Sequence, residues 1–290
     1  MALNQNILLA SNDYVQFGTA TTSVPTEEGT DIANITTPDL YQGVVFTPSD
    51  TSADIEFKID LGVNQTLSVL ALLKHNINYT GLWRVLLNEN ESDPVGQDYD
   101  SGWVPVNPPQ SGFGSLTWGA FVWGGGLPEE LLGKYNRHAY CLLPDAVNIR
   151  YITIRLRCPG NPEPVKFFRV WGSQGYQPST NAVYGAEITP IDKTPMFESA
   201  QLSRTYGAPI QARSMSCSFD LLPKQELFYN ILANLYLVSG TFTPVIVILE
   251  PLEPEHFYVA AIFGNFEKIE KSTYNYWGQF GTSFTVEEAV

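Results

Sequence analysis

The sequence predicts a mainly β protein: two β-sandwiches in tandem, the second carrying one packed α-helix. Three observations lead there. Several segments alternate apolar and polar residues with a period of two, which puts one face in a core and the other in water. Aromatic residues are abundant, with 16 Phe, 15 Tyr and 6 Trp, and β-strands favour them. The 23 Gly and 20 Pro are spread along the chain, so turns come often, while charged residues make up only 16%.

From the start of the chain, "NILLASNDYVQF" reads as a short strand, followed by a polar Thr/Ser/Pro/Glu-rich loop and the strand "LYQGVVFTP". In "ADIEFKIDLGVNQTLSVLALLKHN", Ile55, Phe57, Ile59 and Leu61 oppose Asp54, Glu56, Lys58 and Asp60. This predicts a strand, a turn at Asp-Leu-Gly and a second, apolar strand ending at Lys74-His75-Asn76. "GLWRVLLNEN" continues with Trp83, Val85 and Leu87 on one face. Residues 88–135 are rich in loop residues, and "NIRYITIRLRCPG" and "VKFFRVWGSQGY" are two further strands. Seven or eight strands without a convincing helix are the load of one sandwich, assigned to residues 1–175.

Residues 176–200, rich in Pro, Ser, Thr and Asn, read as a linker. In the second domain, 201–290, "ARSMSCSFDLL" is a strand with Met215, Cys217 and Phe219 on one face. A helix is predicted over 223–238, with Pro223 at its first position, Gly240 ending it, and a stripe of Leu227, Ile231 and Leu235 flanked by Phe228 and Leu232. Strands in "TPVIVILEP", "HFYVAAIFGNFEKIEK" and the final run to "FTVEE" complete a small antiparallel sheet. "PVIVILEP" and "YVAAIF" are the expected edge strands, to be covered by neighbours.

The formal net charge is −14, and no run of Lys or Arg could track a phosphate backbone, which argues against nucleic-acid binding. Cys141, Cys158 and Cys217 form an odd set without CxxC spacing, read as reduced thiols in a cytoplasmically folded chain. The opening "MALNQNILLASNDY" has no basic n-region of a signal peptide, and no apolar run approaches the ~20 residues of a membrane span.

No catalytic constellation stands out. The G-x-S-x-G elbow, the Walker loop, G-x-G-x-x-G and H-E-x-x-H are all missing, and His138 and His256 lack partners at catalytic spacing, so no enzyme is expected and no cofactor is implied. His75-Asn76 suits a strand end better than a proton relay. Asp98 and Asp100 in "QDYDSGW" form a weak Ca²⁺ candidate that supplies too few oxygens, and the expected metal is none. The loop aromatics Trp103, Trp118, Phe121 and Trp123 are candidates for stacking on a sugar or for contact with a neighbouring subunit.

The order "IEFKIDLG…TLSVLALLKHN", "DSGWVPV", "NIRYITIRLR…FFRVWGS" resembles the discoidin-type, galactose-binding-like β-sandwich. The second half, from "YQPSTNAVYGAE" through the strand and helix to "FGNFEKIEK" and "FTVEEAV", is similar to structural proteins of tailed-bacteriophage tails, related to tail tubes and distal tail proteins. Distal tail proteins usually place the tube-like domain first, and here it is second. The resemblance therefore implies a baseplate or tail-tip component of the virion, assembled in the host cytoplasm. It would form a homo-oligomeric ring with tube, hub and fibre proteins as neighbours and an outward sandwich. The alternative it implies is a carbohydrate-binding, host-adhesion module recognising a surface glycan.

Overall fold

The computed structural model describes residues 3–47, 54–90, 98–107, 137–161, 163–183, 185–198, 204–208, 210–269 and 271–289. It is mainly β and divides into two compact units. Among the described residues the first unit comprises Leu3 and the chain from Asn12 to Gly175, and the second combines Asn4–Ser11 with the chain from Tyr176 onward.

In the first unit the two strands expected around Asp-Leu-Gly are one continuous strand, Ile55–Leu73. Its register shifts between Asp60 and Gln65. There Gly62 takes φ +77, open to glycine at little cost, and donates its amide to Asp60 Oδ1 at 2.8 Å. The feature is thus a bulge that bends a strand. The partner strand, His138–Arg157, is equally long and pairs on both sides of the bend. Strands Thr19–Thr22 and Arg169–Ser173 flank Ile55–Leu73, and Leu82–Asn88 extends the other side.

The alternation works as the sequence requires. Ile55, Phe57, Ile59 and Leu61 from one side of the bend share a buried cluster with Leu67, Leu70 and Leu72 from the other, so the sheet closes over its own core. Phe46, Phe57 and Phe167 stack at its centre with ring separations of 5.2–6.1 Å. The outward residues form a cross-strand ladder of ion pairs: Asp54–Arg157 at 2.8 Å, Glu56–Arg155 at 2.6 Å and Asp60–Arg150 at 2.7 Å. One pair is internal. Asp13 and Arg169, each side chain 2% exposed, meet at 2.6 Å. Asp13 also accepts the amides of Val15 and Gly172, and Arg169 donates to the Pro38 carbonyl, so this buried charge pair is tied into the backbone on both sides.

The second unit corrects four expectations. Leu8–Ala10 does not join the first sandwich; it pairs with Val245–Ile248. Both expected edges are interior: Val245–Ile248 lies between Leu8–Ala10 and Ala261–Ile269, which in turn pairs with Gln279–Glu288. Val245–Ile248 is buried at every position, so both of its faces are covered. The exposed edge is Glu187–Asp192, inside the expected linker, where it pairs with Gln211–Pro223. Pro190 on that edge blunts it for further pairing. Finally, Phe257–Ala260 is helical and only Ala261 onward is strand.

The predicted helix is present but begins after Pro223, which ends its strand opposite Gln279. A proline lacks the amide that either a ladder or a first helical turn would leave unbonded, so the junction suits it. Helical residues follow from Lys224, and over Glu226–Leu237 the winding is the wider π form. Leu227, Ile231, Leu235 and Tyr236 pack into a core with Phe219, Phe266 and Phe284. Phe228, expected on the stripe, is instead partly exposed and stacks edge-on against Phe280 at 5.5 Å. Gly240, φ +56, ends the helix by donating to the Tyr236 carbonyl.

Candidate functional site

A candidate surface grows from the end of the strand Ile55–Leu73. Lys74 adopts the left-handed φ of +51, uncommon for a side chain of its size, and its amide donates to His138 Nδ1 at 3.2 Å. Asn76 then fastens the strand end to the segment leading into Arg169–Ser173. Its Oδ1 accepts the Lys166 amide at 2.7 Å, its own amide donates to the Lys166 carbonyl at 3.0 Å, and its Nδ2 donates to the Pro164 carbonyl at 2.8 Å. Phe168 donates its amide to the Leu73 carbonyl. Two lysines from distant parts of the chain are thereby brought to one ring. Lys74 Nζ lies 6.0 Å and Lys166 Nζ 4.7 Å from the Phe168 centroid.

Tyr41 completes the cluster. It belongs to the loop before Val44–Val45, is 81% exposed, and has Lys74 Nζ 5.5 Å from its ring centre. Asp39 Oδ1 accepts the Tyr41 amide at 2.7 Å in an Asx turn. Gly43 lets the loop lie close: a Cβ there would meet the Phe167 carbonyl oxygen at 2.7 Å and the Phe168 ring at 3.2 Å.

The adjoining loops are knit by asparagines. The Asn78 amide donates to Asn161 Oδ1 at 2.9 Å, and Asn107 Nδ2 donates to the carbonyls of Ile77 and Asn78 at 3.0 Å. Asn78 Nδ2 reaches the Pro159 carbonyl, and Thr80 donates to Asn78 Oδ1. These side chains are occupied in holding loops. His75 is 4% exposed, and among the described residues neither ring nitrogen has a hydrogen-bond partner. Burial, with the Arg137 charge adding to it, pushes its pKa down to about 3, so the ring is neutral near pH 7.

The residues singled out in the sequence fall as follows. Trp103 is half-buried, and the Arg157 guanidinium lies over its ring, 4.2 Å from the centroid. Trp118, Phe121 and Trp123 lie outside the described residues. Asp100 is gripped by Arg84, whose Nε donates to Oδ1 at 2.8 Å, and it also accepts the Gly102 amide; this holds its carboxyl below the usual range. Asp98 Oδ2 accepts the Glu89 amide at 2.7 Å. Oxygens proposed for Ca²⁺ thus already serve a guanidinium and backbone amides.

Among the described residues one further group converges in the second unit: Glu250, Glu253 and His256, all exposed. Successive turns bring them together, and His256 Nδ1 lies 2.6 Å from Glu250 and 2.9 Å from Glu253. The hydrogen bond to Glu250 raises the His256 pKa above its ordinary value.

The cluster of Tyr41, Lys74, Lys166 and Phe168 was not read from the sequence. Its members come from three separated segments, and the only local trace is that "KHN" ends one strand while "VKFF" begins another.

No protein-family model matches the chain, and no curated protein matches it. Solved structures with a partial likeness include chitosan-binding module 1 of a chitosanase/glucanase from Paenibacillus sp. IK-5, with 12% identity, 56% of this chain and 99% of that one covered, and a TM-score of 0.37. The family 32 carbohydrate-binding module of NanJ from C. perfringens, in complex with galactose, gives 9%, 57%, 99% and 0.39. The lectin domain of lectinolysin complexed with Lewis b antigen gives 11%, 56%, 96% and 0.36.

Proposed function

We propose that the first unit is a carbohydrate-binding module and that its ligand rests against Tyr41 and Phe168. The observation that carries this reading is the Tyr41 ring, 81% exposed on a loop pinned by Asp39 and Gly43, beside a second aromatic ring and two ammonium groups. An aromatic face stacks on the C–H face of a pyranose, while neighbouring N–H donors take its hydroxyls. The chemistry asked of the surface is binding. A glycan array probed with the intact protein tests it: wild type retains saccharides, Tyr41→Ala loses them, and Trp103→Ala keeps them because Arg157 already covers that ring. Equal retention by Tyr41→Ala would remove the reading.

A second reading, compatible with the first, is favoured by the surface of the second unit. Trp277, Leu237 and Phe242 are 96%, 81% and 78% exposed, and Tyr274, Phe280 and Phe228 form a continuous aromatic row with separations of 4.9 and 5.5 Å. The ribbon Met196–Glu198 with Arg204–Tyr206 is exposed at every residue. Apolar side chains displayed on this scale suit a subunit whose neighbours cover them. We propose a ring of copies in a phage tail tip or baseplate, the sandwich facing outward, with tube, hub and fibre proteins as partners in the virion. Immunolabelling of assembled particles checks the placement, and unlabelled tails would remove it.

A further inference from the structure

We propose that Glu250, Glu253 and His256 of the second unit form a binding site for a divalent transition-metal ion of the zinc class, with one imidazole nitrogen and two carboxylates as its ligands. The three belong to the stretch "EPLEPEH", which lies between the strands Val245–Ile248 and Ala261–Ile269. Two successive turns shape it. The Glu253 amide donates to the Glu250 carbonyl at 3.2 Å, and the His256 amide donates to the Glu253 carbonyl at 3.0 Å. At three residues per turn, side chains three apart eclipse one another, so residues 250, 253 and 256 share one face. An α-helix, with about 3.6 residues per turn, would fan them apart. One ligand atom from each residue lies within 4.8 Å of the other two. His256 Nδ1 is 2.6 Å from Glu250 Oε2 and 2.9 Å from Glu253 Oε2.

The face is set by the backbone. Pro251 and Pro254 each stand second in their turn, where a φ fixed at about −65° is the one the turn needs. The stretch is held at both ends: the Leu249 amide donates to the Ala260 carbonyl at 2.9 Å, and Pro251 and Phe257 are buried. The imidazole separates this group from an ordinary acidic surface cluster. Two carboxylates approach the same Nδ1, whose N–H is a single donor. A cation bound to Nδ1 meets both carboxylates at once, and their two negative charges match a divalent ion. An imidazole nitrogen suits zinc, nickel and copper, whereas calcium and magnesium take oxygen ligands, and calcium asks for six to eight. Zinc accepts three protein ligands with water completing a tetrahedron. Donors around such an ion stand about 3.4 Å apart for bonds of about 2.1 Å, a spacing that small rotations of these exposed side chains reach.

Isothermal calorimetry of the intact protein, treated with EDTA and dialysed, tests this with zinc chloride beside calcium chloride and magnesium chloride. The expected result is saturable zinc binding, at least about tenfold tighter than that of calcium or magnesium, because the imidazole favours the softer ion. His256→Ala and Glu250→Gln/Glu253→Gln each weaken zinc binding at least about tenfold, since each removes ligands from a set of three. Both variants melt like wild type in metal-free buffer, because the three side chains are exposed. Zinc raises the melting temperature of wild type, as only the folded chain holds the ligands together, and leaves that of His256→Ala where it was. Absence of zinc binding would overturn the inference. Zinc binding that both variants leave unchanged would place the ion elsewhere and overturn it too. Calcium bound as tightly as zinc would reduce the group to an acidic surface cluster only, and the inference would fall.

Discussion

Asn76 holds Lys166 at both ends of its peptide unit, accepting its amide at Oδ1 and donating its own amide to its carbonyl. The side chain that closes one strand therefore places a cation belonging to another, 90 residues away in sequence. In Asn76→Ala the amide of Lys166 and the carbonyl of Pro164 lose their partner. The expected cost is about 1–2 kcal/mol in urea unfolding, with a several-fold loss of saccharide affinity. Unchanged affinity would mean that Lys166 needs no such anchor.

The Asp13–Arg169 pair predicts a larger effect. Arg169→Met leaves a carboxylate buried without its counter-charge, and the first unit should lose about 3–5 kcal/mol. Breaking an outer ladder pair, as in Asp54→Asn, should move the unfolding midpoint far less, because solvent screens both groups. Comparable losses from the two substitutions, read by denaturant melts, would contradict the assignment of Asp13–Arg169 as the internal clamp.

His75 predicts an acid sensitivity. The unfolded side chain binds a proton near pH 6.5, and the folded one, held neutral by burial, only near about 3. Between those values the unfolded chain carries the extra proton, so stability is full above pH 6.5 and falls as the pH drops toward 3. A shift of this size corresponds to a few kcal/mol at the acid end, about 1.4 kcal/mol for each pH unit. His75→Phe should flatten the profile across that window relative to wild type. Parallel profiles would show that the ring is protonated in the folded state.

Much of the first unit was legible in the sequence, because its signal is local. The alternation from Ile55 to Leu61 marks the buried face, and Trp83, Val85 and Leu87 do the same on the next strand; all seven are buried. Errors came where pairing is non-local. Leu8–Ala10 looks like any short apolar strand, and nothing in it says that its partner is Val245–Ile248. Glu187–Asp192 carries a proline and three polar residues and reads as linker, although an edge strand tolerates that composition. The Asp-Leu-Gly bulge was read as a turn because a glycine at positive φ serves either purpose. The candidate surface was the least legible part. Trp103 stands out in the sequence as a loop aromatic, whereas Tyr41 and Phe168 acquire their setting only when three segments meet.

The exposed aromatics of the second unit predict self-association. Light scattering of the purified protein should report an oligomer, and Trp277→Ser with Leu237→Ser should shift it toward the monomer without lowering the melting temperature. Such solvent-facing truncations remove apolar area from an interface and leave the core of Phe219, Phe266 and Phe284 intact. A wild-type monomer at high concentration would count against the ring.

The most direct test of the central claim is to map where a saccharide binds, by recording backbone amide shifts during titration with a saccharide that the glycan array retains. The account predicts perturbations centred on Tyr41, Lys74, Lys166 and Phe168, absent from Tyr41→Ala. Saturable binding that leaves those amides unmoved, or perturbs Trp103 and its neighbours instead, would contradict it.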